Sequence, residues 1–173
     1  DQIINEYLKN CPESVVKIIV KLFNLVLQTG ILPSEWGLGL IQPLFKNKGS
    51  INNVDNYRGI TLLSCLGKLF TSAINARISN YLTAVGALGD EQAGFREGFN
   101  TTDHTFTLDS IIDFYKQKYK QLYCAFIDYR KAFDFIDRTS LWRKLIENNI
   151  NGNVIRVIYN LYASAKSCVK NGK

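Results

Sequence analysis

The stretch that most constrains this sequence is a short apolar run, Leu122-Tyr123-Cys124-Ala125-Phe126-Ile127, which stops at an acid, Asp128. A run this short and this rich in strand formers reads as a β-strand buried on both faces. Such a strand needs neighbours at its edges and a layer over each face, so it commits the chain to a layered domain. Periodicity elsewhere says what the layers are. Val15, Ile18, Ile19, Leu22, Phe23 and Val26 recur at helical spacing, which predicts an amphipathic helix over 13–29 that Gly30 ends. A strand is predicted over 38–46, with Pro43 favouring a sheet edge or a bulge, and a polar loop over 46–57. Ser64 reads as the cap of a helix whose stripe is Leu66, Leu69, Phe70, Ala73, Ile74, Arg77, Ile78 and Tyr81. After a loop over 83–101, a third helix runs from about Thr102 to Lys118. It is expected to bury Phe106, Ile111, Ile112 and Tyr115, with Thr101 or Thr102 as its cap. Helical patterns over 139–148 and 153–163, and a strand beginning near Ser167, complete an α+β fold.

Composition narrows the class. With 46% hydrophobic and 21% charged residues, the 173-residue chain has the make-up of a globular protein rather than a disordered one. A net charge of +6 suits a polyanionic partner such as nucleic acid without requiring one. Cys11, Cys65, Cys124 and Cys168 form no close pair and His104 is the single histidine, so a zinc site is not expected. The thiols have apolar neighbours and are expected to be reduced and buried. No apolar run reaches membrane-spanning length, and the N-terminus has no signal-peptide pattern. The absence of Met and the turn-like Lys170-Asn171-Gly172-Lys173 suggest a segment of a longer protein.

Three acids, Asp128, Asp134 and Asp137, lie within ten residues, interleaved with Arg130, Lys131 and Arg138. An acid at the end of a buried strand is partly desolvated and suited to hold a metal or shift its own pKa. The plainer reading is that Asp134 and Asp137 pair with the adjacent basic residues or cap the helix starting near Thr139. That reading suits Asp128 less well, because an acid directly after Cys-Ala-Phe-Ile is unusual for a merely solvated face.

The segment Ala125–Asp137, AFIDYRKAFDFID, resembles motif A of reverse transcriptases in the form typical of non-LTR (LINE-type) retrotransposons. The resemblance implies that Asp128 binds both catalytic magnesium ions and that Tyr129 and Phe133 line the nucleotide pocket. Phe133 would pack under the incoming sugar and reject a ribose 2′-hydroxyl. Upstream, Phe45-Lys46-Asn47-Lys48-Gly49 and Asn56-Tyr57-Arg58-Gly59-Ile60 with Leu62-Leu63 resemble the family's fingers motif Asn-Tyr-Arg-Pro-Ile-Ser-Leu-Leu, with Gly59 and Thr61 replacing Pro and Ser. This implies Arg58 as a clamp on the triphosphate, assisted by Lys46 or Lys48. A planar guanidinium can give two parallel hydrogen bonds to phosphate oxygens. Glu91-Gln92-Ala93-Gly94-Phe95-Arg96 with Thr101-Thr102-Asp103 resembles the next motif, Gln-x-Gly-Phe-Arg, which lies along the template. Gly94 would permit close approach, Phe95 would anchor the turn, and Arg96 would touch phosphate or base. The plainer reading puts Phe95 in the core. Gly30-Ile31-Leu32-Pro33 with Trp36 resembles the family's lead-in and reads on its own as a helix stop and a buried Trp.

The resemblance covers the chain from about Ser14 to Lys173. It implies a right-hand polymerase fold, with fingers and connecting helices over about 1–120 and the start of the palm over about 121–173. It further implies an RNA template, a DNA primer, deoxynucleoside triphosphates and Mg²⁺, no membrane, and a nuclear or cytoplasmic setting. The family's Tyr-x-Asp-Asp tetrapeptide does not occur in the 173 residues. One carboxylate cannot hold two hydrated, mutually repelling Mg²⁺ ions, so these residues alone are expected to be inactive. Two other readings are open: a non-catalytic nucleic-acid-binding module using Arg58, Arg96, Lys116, Lys118 and Lys120, and an inert transposon relic.

Overall fold

A computed structural model gives the fold, describing residues 3–129, 132, 133 and 135–169. The expectations for Arg130, Lys131, Asp134 and Lys170–Lys173 lie outside the described residues. The chain divides into two compact units, Asp1–Ile78 with Trp142–Lys173, and Ser79–Leu141.

The first unit holds α1 (Asn5–Lys9), α2 (Glu13–Thr29), β1 (Leu38–Phe45), β2 (Tyr57–Leu62), most of α3 (Cys65–Ala84), most of α5 (Arg138–Glu147), α6 (Gly152–Ser164) and β3 (Lys166–Val169). Gly30 ends α2 in the left-handed region at φ +74°, and its N–H donates to Val26 O at 2.8 Å. That is the αL helix stop the sequence predicts. Two side chains of α6 then satisfy carbonyls at this helix end. Arg156 Nη2 donates to Gln28 O and Asn160 Nδ2 to Gly30 O, at 2.8 and 2.9 Å. The core is one cluster, Val26, Trp36, Phe70, Ile74 and Val157, with Leu22, Phe23, Leu66, Ile78 and Leu161 packed against it. Phe23 meets Trp36 and Phe70 edge-on, at centroid distances of 5.9 and 5.1 Å. Ser64 caps α3 as expected, its Oγ accepting from Gly67 N–H at 3.0 Å. The backbone at Gly37 is closely approached: a β-carbon there would sit 2.7 Å from Ser164 O.

The sheet order is β2-β1-β3, with β2 antiparallel and β3 parallel to β1. Pro43 therefore lies in the central strand, not at an edge. Its register partner is Gly59 of β2, and among the described residues the pairing with β3 covers Leu38 to Ile41.

The second unit contains the rest of α3, α4 (Thr101–Gln117) and the start of α5. The cap of α4 is Asn100, not Thr101 or Thr102. Its Oδ1 accepts from the N–H groups of Thr102 and Asp103, while Asp103 Oδ2 accepts from Asn100 N–H at 2.8 Å. This reciprocal capping box satisfies more orphan donors than a Thr cap alone. The helix buries none of its residues, and Phe106 is 73% exposed, contrary to the expected core face. Nor do residues 121–129 form a strand: they have no regular structure, and Phe126 and Ile127 are more than 80% exposed. A strand persists only where its backbone groups find a ladder. The sheet among the described residues is β2-β1-β3, and it gives this segment none. The same lack of a covering layer corrects the expectation of buried thiols. All four cysteines are free, but Cys124 and Cys168 are exposed and Cys11 and Cys65 only half-buried. Among the described residues no helix is long and apolar enough to cross a membrane.

Candidate nucleotide and template site

The β1–β2 connection is a closed loop. Lys46 N–H donates to Asn56 O and Lys46 Nζ to Asp55 O, both at 2.8 Å. Asn56 Nδ2 donates to Ser50 O, and Tyr57 OH to Ile51 O. Lys46 thus works inside the loop, which tells against it as a freely reaching phosphate ligand. Lys48 lies exposed on the loop, and Arg58 lies exposed on β2 opposite Leu44. By strand alternation Arg58 shares its face with Ile60 and Leu62, both half exposed. Its guanidinium carries five donors in a planar fork that suits a phosphate.

In the second unit the Gln92–Arg96 segment is folded on Arg96. Its Nη1 donates to Gly89 O at 2.8 Å and to Gln92 O at 3.4 Å, and its guanidinium carbon lies 4.7 Å from the centroid of the Phe99 ring. Gln92 Nε2 donates to Gly94 O at 3.1 Å. Gln92 and Arg96 therefore shape the loop themselves. Ala93 is the buried residue here, while Phe95 is 93% exposed at φ +63°, so it belongs to no core. A β-carbon on Gly94 would meet nothing nearer than Gln92 Nε2 at 3.5 Å, which leaves that side open to approach.

Asp128 and Tyr129 are exposed, as is Phe133. The structure brings Phe133 together with Phe95, ring centroids 5.9 Å apart and planes at 87°. Asp137 has a local task. Its carboxylate accepts from Ser140 Oγ at 2.6 Å and from the N–H groups of Ser140 and Thr139 at 3.0 and 3.1 Å, capping α5. The Ser140 hydroxyl first, and then these backbone donors, hold its carboxyl below the ordinary range. The capping reading of Asp137 therefore stands. Among the described residues no three His, Cys, Asp or Glu side chains gather to hold a metal ion. These residues do not make a metal site on their own, and no chemical step through a metal follows from them.

Sequence reasoning missed Asn100, Asp103 and Phe99 as the groups that fix the loop and the start of α4. The Asn-x-x-Asp spacing before the helix was a readable signal for the first two. The Phe99 contact depends on a loop path that no local pattern encodes.

Residues 45–172 match the family model described as reverse transcriptase (RNA-dependent DNA polymerase). A probable RNA-directed DNA polymerase from transposon X-element of Drosophila melanogaster is 31% identical over 148 residues, 84% of this chain and 16% of that protein. A probable RNA-directed DNA polymerase from transposon BS of the same species is 30% identical over the same coverage. A retrovirus-related Pol polyprotein from type-1 retrotransposable element R2 of Popillia japonica is 28% identical over 116 residues, 67% of this chain and 16% of that protein. The chain spans about 16% of the length of these curated relatives. The family match takes in Arg58, the Gln92–Arg96 loop and the Asp128–Phe133 segment, and on it the chain belongs to the reverse transcriptase (RNA-dependent DNA polymerase) family.

Proposed function

We propose that this chain is part of an RNA-directed DNA polymerase of a non-LTR retrotransposon, comprising fingers over about 1–120 and the start of the palm over about 121–173. The whole enzyme extends a DNA 3′ end on an RNA template, using deoxynucleoside triphosphates. The reading is carried by one observation: three motifs of the family, around Arg58, Gln92–Arg96 and Asp128–Phe133, fall in order inside a single family match. In it Arg58 grips the triphosphate with Lys48, and Lys46 braces the loop that carries them. Gln92, Gly94, Phe95 and Arg96 form the template side, and Tyr129 and Phe133 the nucleotide side.

Asp128 is proposed as one ligand of a Mg²⁺ site. The cation would supply charge stabilisation at the reacting phosphate. Among the described residues no three His, Cys, Asp or Glu side chains gather to hold the ion.

The test is steady-state kinetics on the full-length polymerase, with template binding measured alongside. Asp128→Asn keeps the side-chain shape and removes its charge. It is expected to abolish turnover while template affinity stays within a few-fold, because the lost interaction matters most in the transition state. Near-normal turnover in Asp128→Asn would overturn the assignment. Nucleic-acid binding with no nucleotide addition by the wild-type polymerase would favour a binding module instead.

A further inference from the structure

We propose that Phe95 is a positioning residue for Phe133, and that through this contact the Gln92–Arg96 loop sets how strictly the sugar of the incoming nucleotide is selected. The inference rests on the reading of Phe133 given above as the residue beneath that sugar.

Phe95 sits at φ +63°, where a β-carbon crowds the following carbonyl. Such a conformation persists only when the surroundings over-determine it, and at loops it marks a built feature. The surroundings do so from both sides. Before Phe95, Gln92 Nε2 is tied to Gly94 O and Ala93 is buried. After it, Arg96 is tied through Nη1 to Gly89 O and Gln92 O and lies over the Phe99 ring. What this loop presents is an aromatic side chain 93% exposed to solvent. A loop stabilised only for its own sake would turn that ring inward, where its burial is favourable.

The Phe95 ring is directed at Phe133. The two lie 5.9 Å apart at 87°, the edge-to-face geometry that aromatic quadrupoles favour. Phe133 needs such a support. It is 73% exposed, and the preceding residues 121–129 have no regular structure to fix it. A ring that excludes a 2′-hydroxyl by bulk works only while it stays in place. An aromatic contact from a braced loop restricts its rotation.

The experiment compares Phe95→Leu, Phe95→Tyr and Phe133→Val in the full-length polymerase. The measurements are kcat/KM for a deoxynucleotide and its ribonucleotide, and template affinity. Leu keeps the β-carbon and therefore the backbone strain, so Phe95→Leu reports the ring alone. It is expected to lower the preference for the deoxynucleotide by roughly two- to tenfold, the range an aromatic edge contact corresponds to. Phe95→Tyr restores the preference to within about twofold. If Phe133→Val alters the preference and Phe95→Leu does not, the positioning role is overturned while the reading of Phe133 stands. If Phe133→Val leaves the preference untouched, that reading fails and this one with it. If Phe95→Leu slows both nucleotides equally, or weakens only template binding, Phe95 is a structural or template-stacking residue and the positioning role is wrong.

Discussion

The two units are held together by different physics. In Asp1–Ile78 with Trp142–Lys173, Val26, Phe70 and Val157 are at most 2% exposed and α2, α3 and α6 close around them. In Ser79–Leu141 Ala93 is the buried residue among those described, while Phe95, Phe106, Tyr129 and Phe133 stand largely exposed. Order there comes from local polar contacts: the Asn100–Asp103 capping box, the Arg96 ties and the Asp137 cap. The first unit is stabilised by area removed from water, and the second by hydrogen bonds that each contribute about 1 kcal/mol. The proposed template and sugar-side residues all lie in the second. On the proposed assignment, the template and sugar contacts fall on the less deeply packed surface, where aromatic faces remain exposed, while Arg58 and Lys48 fall in the first unit.

The sharpest test of the contrast is a pair of truncations. Phe70→Ala should destabilise the chain by about 3–5 kcal/mol, because it opens a cavity in the core cluster. Phe106→Ala, on an exposed helix face, should stay within about 0.5 kcal/mol. Urea denaturation followed by circular dichroism measures both, and similar costs for the two would erase the distinction between the units. A second pair concerns backbone approach. Gly37→Ala puts a carbon 2.7 Å from Ser164 O and should cost about 1–3 kcal/mol, whereas Gly94→Ala meets nothing nearer than 3.5 Å and should be close to neutral. The same denaturation curves decide it.

The smallest effect is a pH dependence confined to the start of α5. The Asp137 carboxyl titrates below its ordinary value in the folded chain. Its contribution is therefore complete above the unfolded value and is lost as pH falls through the lowered folded one. Exchange protection of the Thr139 and Ser140 amides should be present at pH 5 and fade as the medium is acidified below the ordinary carboxylate range. Asp137→Ala should lack both the protection and its pH dependence, and protection unaffected by the substitution would remove the cap from the account.

Much of the first unit was legible in the sequence, because its signals are local. Helical spacing of Val15 to Val26, Gly30 as a stop and Ser64 as a cap each describe a few consecutive residues. The strand near Ser167 was legible too, but its parallel partner was not, since periodicity carries no register. That is also why Pro43 pointed to an edge and was found in the central strand. The Leu122–Ile127 run shows the converse limit. Its composition describes what it would bury, and nothing in it says whether a ladder is present. At the site, the order of the motifs was readable, while the use of Arg96 as a brace and the meeting of Phe95 with Phe133 depend on loop paths.

The pairing of β3 with β1 bears on how such a chain is made. Its companion contact, Arg156 Nη2 to Gln28 O, joins residues 128 apart. At roughly 5–20 residues per second on the ribosome, α2 waits on the order of 6–25 s for its partner after it has itself emerged. Throughout that interval the part of α2 that α6 will cover, and the edge of β1 that β3 will occupy, stand uncovered. The second unit is synthesised inside the gap, as a loop whose ends must be brought together before the first unit can close. Lengthening that insert would raise the closure cost only slowly, while each added residue would lengthen the exposure in time, so nascent-chain aggregation, more than final stability, limits how far it can grow.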